Sequence, residues 1–156
     1  MFKRRLSAAV VLGALWLHIL PATAQGAKPD FSGTWKKDNA QSTSIRPGTV
    51  TMKIEQHDPQ LKVEMIVARP MDPERRSVQD YTTDGKESVS TGADGDKFYT
   101  KVVWQNGALV FNVEEHEDGR VLHSTETWTL SPDGQTITRL RHTERDEQRI
   151  LYVRQR

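Results

Sequence analysis

No cysteine occurs among the 156 residues. Disulfide staples are thereby excluded, and stability has to come from one packed core and from strands paired into a closed sheet. Sustained apolar periodicity of the helical kind is missing after residue 24, so little helix is expected. Apart from one run near the start, no stretch approaches the about 20 apolar residues that a membrane-spanning helix needs. Charge of one sign is lacking as well: 22 basic side chains face 21 acidic ones, a formal net charge of +1. Removing residues 1–24 takes away Lys3, Arg4 and Arg5 and no acidic residue, which leaves −2. A domain of that charge has no basic footprint for nucleic acid. Also absent are a Ser-His-Asp set, a carboxylate pair at a recognisable catalytic spacing and a glycine loop that would cradle phosphate. No enzyme chemistry is expected and no cofactor is implied. Asp94-Gly95-Asp96 lacks the remaining ligand spacing of a calcium loop.

The run near the start has the layout of an export signal. Lys3, Arg4 and Arg5 form a basic region, Leu6 to Leu20 an apolar one, and Ala22-Thr23-Ala24 a small-x-small cleavage site. The apolar part is short for a bilayer and is interrupted by His18. Residues 1–24 are therefore expected to be a signal peptide. Residues 25–156 are expected to be a single exported domain, periplasmic or secreted, with no integral membrane segment. The sequence carries no signal for oligomeric state.

What is present in that domain is strand after strand. Val50, Met52 and Ile54 alternate with polar residues, and Leu61, Val63, Met65 and Val67 repeat the pattern after His57-Asp58-Pro59-Gln60. That alternation marks two strands with one dry face. The turn sets Ile54 opposite Val63, Met52 opposite Met65 and Val50 opposite Val67. A second hairpin is built on Asn106-Gly107, the preferred pair for a type I′ turn, and sets Trp104 against Leu109 and Val102 against Phe111. Between them, Ser77 to Thr83 and Glu87 to Thr91 flank an Asp84-Gly85 hairpin signal and are poor in apolar residues, so this wall is expected to be the most open or mobile. Val121 to Leu130, Thr136 to Arg145 and Gln148 to Arg154 complete ten strands joined by short turns. Such an antiparallel meander removes its exposed edges by closing into an all-β barrel.

Phe31-Ser32-Gly33-Thr34-Trp35-Lys36 opens the first strand, and its Gly-x-Trp resembles the start of the lipocalins and fatty-acid-binding proteins. The glycine permits a close bend, and the tryptophan can plug the barrel end. The resemblance implies a lipocalin-like up-and-down barrel along most of the chain, closing at Tyr152-Val153-Arg154. Within it, Glu126-Thr127-Trp128-Thr129-Leu130-Ser131-Pro132-Asp133-Gly134 looks most like uncharacterised exported bacterial lipocalin-like proteins. The resemblance further implies that Arg149 or Arg154 packs across Trp35. Fatty-acid-binding proteins hold a ligand carboxylate with Arg-x-Tyr on the last strand. Here Ile150 stands where that arginine would be and Arg149 points to the other face, so the pair is broken and Tyr152 alone carries over.

The candidate binding residues follow from the dry faces and the polar groups set among them: Met52, Met65, Val102, Trp104, Phe111, Trp128, Arg139 and Tyr152. Gly33, Trp35 and Arg154 form the structural motif at the closed end. Arg139 and Arg141 share one face of their strand, and the turn at Ser131 to Gly134 decides which. A four-residue loop there sets Trp128 against Ile137 and Glu126 against Arg139, with the arginines inside. A glycine bulge turns them outward to solvent, which is the preferred expectation. The first register also brings His123 opposite His142, a pair that could seed a haem or metal site. Three readings follow. The leading one is a carrier of a small apolar or amphipathic ligand. The runner-up is a structural or interaction barrel filled by its own side chains, and the third is a haem- or metal-binding barrel.

Overall fold

A computed structural model describes residues 28–43, 48–92 and 94–156. The expected signal peptide and the Arg46-Pro47 part of the first loop lie outside the described residues. The alternating sequence forms ten strands: β1 Gly33–Asp38, β2 Thr49–His57, β3 Gln60–Ala68, β4 Arg75–Thr82 and β5 Asp84–Thr91, then β6 Lys97–Gln105, β7 Ala108–Glu117, β8 Arg120–Leu130, β9 Thr136–Thr143 and β10 Glu147–Arg154. They pair antiparallel in the order β4-β3-β2-β1-β10-β9-β8-β7-β6-β5. First and last strands close the barrel on one another, Trp35 opposite Arg154 and Lys37 opposite Tyr152.

Both strong hairpins have the register that their apolar alternation dictates. Met52 faces Met65 and Ile54 faces Val63, while Trp104 faces Leu109 and Val102 faces Phe111. Asn106 and Gly107 take φ of 49° and 79°, the left-handed pair that a type I′ turn requires.

Asp84-Gly85 behaves differently from the hairpin expected there. The Thr83 amide donates to the Pro59 carbonyl at 2.8 Å, which carries the chain along the start of β3. Asp84 then pairs with Val103 of β6 across a bulge. The chain therefore crosses from one wall to the other, and among the described residues no ladder joins β4 to β5. The barrel is closed except along this seam.

One contiguous core runs through the interior. Phe31, Trp35, Met52, Ile54, Leu61, Val63, Val102, Leu109, Phe111, Trp128, Ile137 and Tyr152 are buried in it. The segment before β1 caps one end. The Phe31 amide donates to Gln56 Oε1 at 3.0 Å, Gln56 Nε2 donates to the Pro29 carbonyl at 3.1 Å, and Lys28 Nζ lies 2.9 Å from Asp58 Oδ2.

Candidate functional site

Trp35 is fully buried at the capped end and its indole N–H donates to the Phe31 carbonyl at 2.9 Å. The Arg154 guanidinium covers the ring, with Cζ 4.1 Å from the ring centroid. It donates from Nη1 to the Ser32 carbonyl at 2.7 Å and from Nε to the Gly134 carbonyl at 2.8 Å. Gly33 makes room for it: at φ 133°, a β-carbon there would sit 2.6 Å from Arg154 Nη1. Arg149 is exposed on the opposite face of β10. Trp104 also belongs to this end, 6.1 Å from Phe31 between ring centroids and donating to Asp58 Oδ2 at 3.1 Å.

The polar centre of the interior lies above this plug and depends on the turn between β8 and β9. The Ser131 amide donates to the Thr136 carbonyl at 2.9 Å, so the four-residue loop is Pro132 to Gln135, one residue later than expected. Asp133 Oδ1 accepts from Ser131 Oγ at 2.5 Å and from the Gln135 amide at 3.0 Å, and the Thr136 amide donates to Ser131 Oγ at 2.9 Å. These bonds fix the turn. Trp128 is consequently opposite Arg139, Glu126 opposite Arg141 and Leu130 opposite Ile137. This is a slide of two positions from the expected four-residue register, and a slide of two preserves the face. Arg139 and Arg141 therefore point inward, contrary to the preferred solvated reading. The same slide sets His142 opposite Thr125 rather than His123, and both histidines are exposed. Among the described residues no group of three or more His, Asp or Glu side chains could hold a metal ion.

Arg139 is the hub. Its Nε donates to Glu126 Oε1 at 2.5 Å, and the two side chains are only 16% and 14% exposed. Its Nη1 donates to the Tyr152 hydroxyl at 3.2 Å and lies 4.0 Å from Met52 Sδ. The guanidinium stands over the Trp128 and Tyr152 rings at 4.8 and 5.5 Å. The Trp128 indole N–H also donates to Glu126 Oε1. Burial works against both charges, but each is held by the other. Burial alone would push Glu126 up, and the Arg139 charge and hydrogen bond bring it below the usual carboxylate range. Burial would lower Arg139, and Glu126 raises it instead.

Arg139 stands directly opposite Ile150. The guanidinium missing from the last strand thus arrives from its neighbour at the same level and meets the Tyr152 hydroxyl. Ile150 still occupies the last-strand position, and the arginine–tyrosine contact present here is made across two strands, with Glu126 added to it.

Among the sequence candidates, Met52, Phe111, Trp128, Arg139 and Tyr152 come together here. Phe111 stacks on Trp128 at 4.6 Å and meets Tyr81 edge-on at 5.5 Å. Val102 is buried opposite Phe111, and Met65, half-buried, faces Met52 and Ser77. Two residues outside the candidate set complete the site, Glu126 and Tyr81. Glu126 was legible as the acidic member of the inward series Leu122, Ser124, Glu126, Trp128. Tyr81 lies on the weak strand β4, where alternation gave little signal. Burial raises its hydroxyl pKa to about 12.

Two spaces flank this centre. Along the seam, Ser77, Gln79 and Tyr81 of β4 face Ser88 and Ser90 of β5 around a space of about 500 Å³. At the end opposite the plug, Glu115, Leu122, Ser124, Arg141 and Thr143 line a second space of about 180 Å³.

No protein-family model matches the chain, and no curated protein resembles it in sequence. Solved structures resemble it in fold. The REP1-NXSQ fatty acid transporter superposes with a TM-score of 0.64 at 13% identity, covering 81% of this chain and 97% of that one. Fatty-acid-binding protein 1 of Echinococcus granulosus gives 0.60 at 10%, covering 80% and 96%. Lipid binding protein 8 of Caenorhabditis elegans gives 0.60 at 13%, covering 80% and 95%. At these identities the likeness is one of architecture, and the chain has the ten-stranded, nearly closed barrel fold of the fatty-acid-binding proteins.

Proposed function

We propose that this protein is an exported, non-enzymatic carrier that holds a small apolar or amphipathic molecule inside the barrel. The observation that carries the reading is a buried polar centre, Arg139–Glu126–Tyr152, set in a wall of Met52, Phe111 and Trp128. Buried charge is costly and is retained at sites that use it. Apolar walls with a few convergent polar groups are the usual make-up of a small-molecule site. The seam between β4 and β5 supplies the route of access, and the fold is one whose solved members include a fatty acid transporter. The signal-like layout of residues 1–24 supports export to the periplasm or beyond the cell. Ligand contacts are assigned to Met52, Met65, Val102, Phe111, Trp128, Arg139 and Tyr152, with Trp104 forming the floor.

The packing of Phe111 between Trp128 and Tyr81 favours a second reading, a barrel filled by its own side chains. Titration of the delipidated protein with hydrophobic fluorophores, followed by tryptophan emission, separates the two. Saturable one-site binding that weakens in Phe111→Ala is the expected result. Absence of binding across a broad apolar panel overturns the carrier and leaves the filled barrel.

A further inference from the structure

The charge of the polar centre carries an inference about which amphiphiles fit. It rests on the carrier reading above and concerns the head group. A lone buried guanidinium recruits a carboxylate, because the ligand then supplies the counter-charge that burial demands. Arg139 already has its counter-charge. Glu126 sits at 2.5 Å, 14% exposed, and is tethered further by the Trp128 indole. A ligand carboxylate would be a second anion competing for one cation, and two carboxylates sharing a site cannot both stay ionised without cost.

Hydrogen bonding is what the centre still has to give. The contacts engage Nε and Nη1 of Arg139 and Oε1 of Glu126. Arg139 Nη2 and Glu126 Oε2 take no part in them, and the Tyr152 hydroxyl, which accepts from Arg139, still has its own proton to donate. Donors and an acceptor side by side, with no net charge, match a hydroxyl, an ester or an amide. Two other basic side chains point inward. Lys37, on the inner face of β1, already has a partner. Arg141 stands opposite Glu126 and helps to hold that carboxyl low, and at the mouth opposite the plug it shares a space with Glu115, whose carboxylate also feels its charge.

We propose that the barrel selects neutral amphiphiles, an apolar chain or ring system ending in a hydroxyl, ester or amide, and discriminates against the matching carboxylates. Glu126 is the residue that sets this preference.

The test compares stearyl alcohol, stearamide and stearate as competitors for Nile red bound to the delipidated mature protein at neutral pH. The neutral ligands are expected to bind at least about tenfold more tightly than stearate, a difference of about 1.4 kcal/mol. Glu126→Gln, which leaves the Arg139 charge uncompensated, is expected to shift the ratio toward stearate by a similar factor. The wild-type ratio is decisive even if that variant folds poorly. Stearate binding as tightly as the alcohol in the wild type overturns the head-group assignment while the carrier reading stands. A well-folded Glu126→Gln protein whose ratio is unchanged overturns that assignment too. Failure of Nile red and all three competitors to bind overturns both. Residual stearate affinity that disappears in Arg141→Gln belongs to the mouth and supports a neutral interior.

Discussion

Arg139 and Glu126 illustrate how a buried pair is worth less than the loss of either partner. Two charges withdrawn from water each carry a desolvation cost of several kcal/mol, and mutual attraction with hydrogen bonds offsets it. Removing one partner leaves the other uncompensated. Glu126→Leu is therefore expected to destabilise by about 3 to 5 kcal/mol, whereas Glu126→Leu with Arg139→Met should cost much less or nothing. Urea denaturation of the two variants checks this, and a double variant less stable than the single one would place the pair in solvent. Acid acts in the same direction as Glu126→Leu. Because the folded-state pKa of Glu126 lies below 4.5, its contribution is complete above that value and is lost as pH falls through the folded pKa. Tyr81 responds at the other extreme. Burial raises its pKa from 10 to about 12, so the folded state favours the neutral hydroxyl. Stability is complete below pH 10 and falls by about 3 kcal/mol as pH rises through 12. Tyr81→Phe should remove that alkaline slope in unfolding curves measured across the window.

At the scale of elements, the hairpin from β6 to β7 depends on its turn. Gly107 at φ 79° occupies a region that a β-branched side chain enters only under strain. Gly107→Val is expected to cost about 1 to 3 kcal/mol, read as a lowered denaturation midpoint with an unchanged slope. Strong alternation made this hairpin, and the one from β2 to β3, legible in the sequence down to the register. Elsewhere the sequence was legible only in part. The β8–β9 turn contains Pro132, Asp133 and Gly134, which signal a bend without specifying where pairing resumes. The choice was made by Ser131 and Asp133 side chains bonding to backbone amides, a detail that apolar period cannot carry. Its consequence was large, since it placed Arg139 inside. The crossing at Thr83 was hidden for a related reason: Asp84-Gly85 is a good hairpin signal locally, but the Thr83–Pro59 bond and the Asp84–Val103 pairing act over distance. The candidate site was correspondingly half visible. Its apolar members came from alternation, while the pairing of Arg139 with Glu126 and Tyr152 needed three strands in place.

For the whole molecule, the pairing of β1 with β10 makes one further experiment possible. The Gln155 amide donates to the Thr34 carbonyl at 2.8 Å, so the first and last strands of the barrel run side by side. The seam, on the far side of the barrel, is a place where neighbouring strands share no ladder. Joining Arg156 to Lys28 by a flexible linker and reopening the chain between Thr83 and Asp84 would break no strand pair, and domains tolerate permutation at such sites. The permuted protein is expected to keep its β-sheet circular dichroism and cooperative unfolding. Its walls, no longer tethered at Thr83, would be free to part, so ligand should enter and leave faster while affinity changes less. Stopped-flow measurement of both rates gives the comparison. In such a chain the barrel would begin and end at its own doorway, and the covalent link across the seam would be revealed as a hinge pin rather than a structural strut.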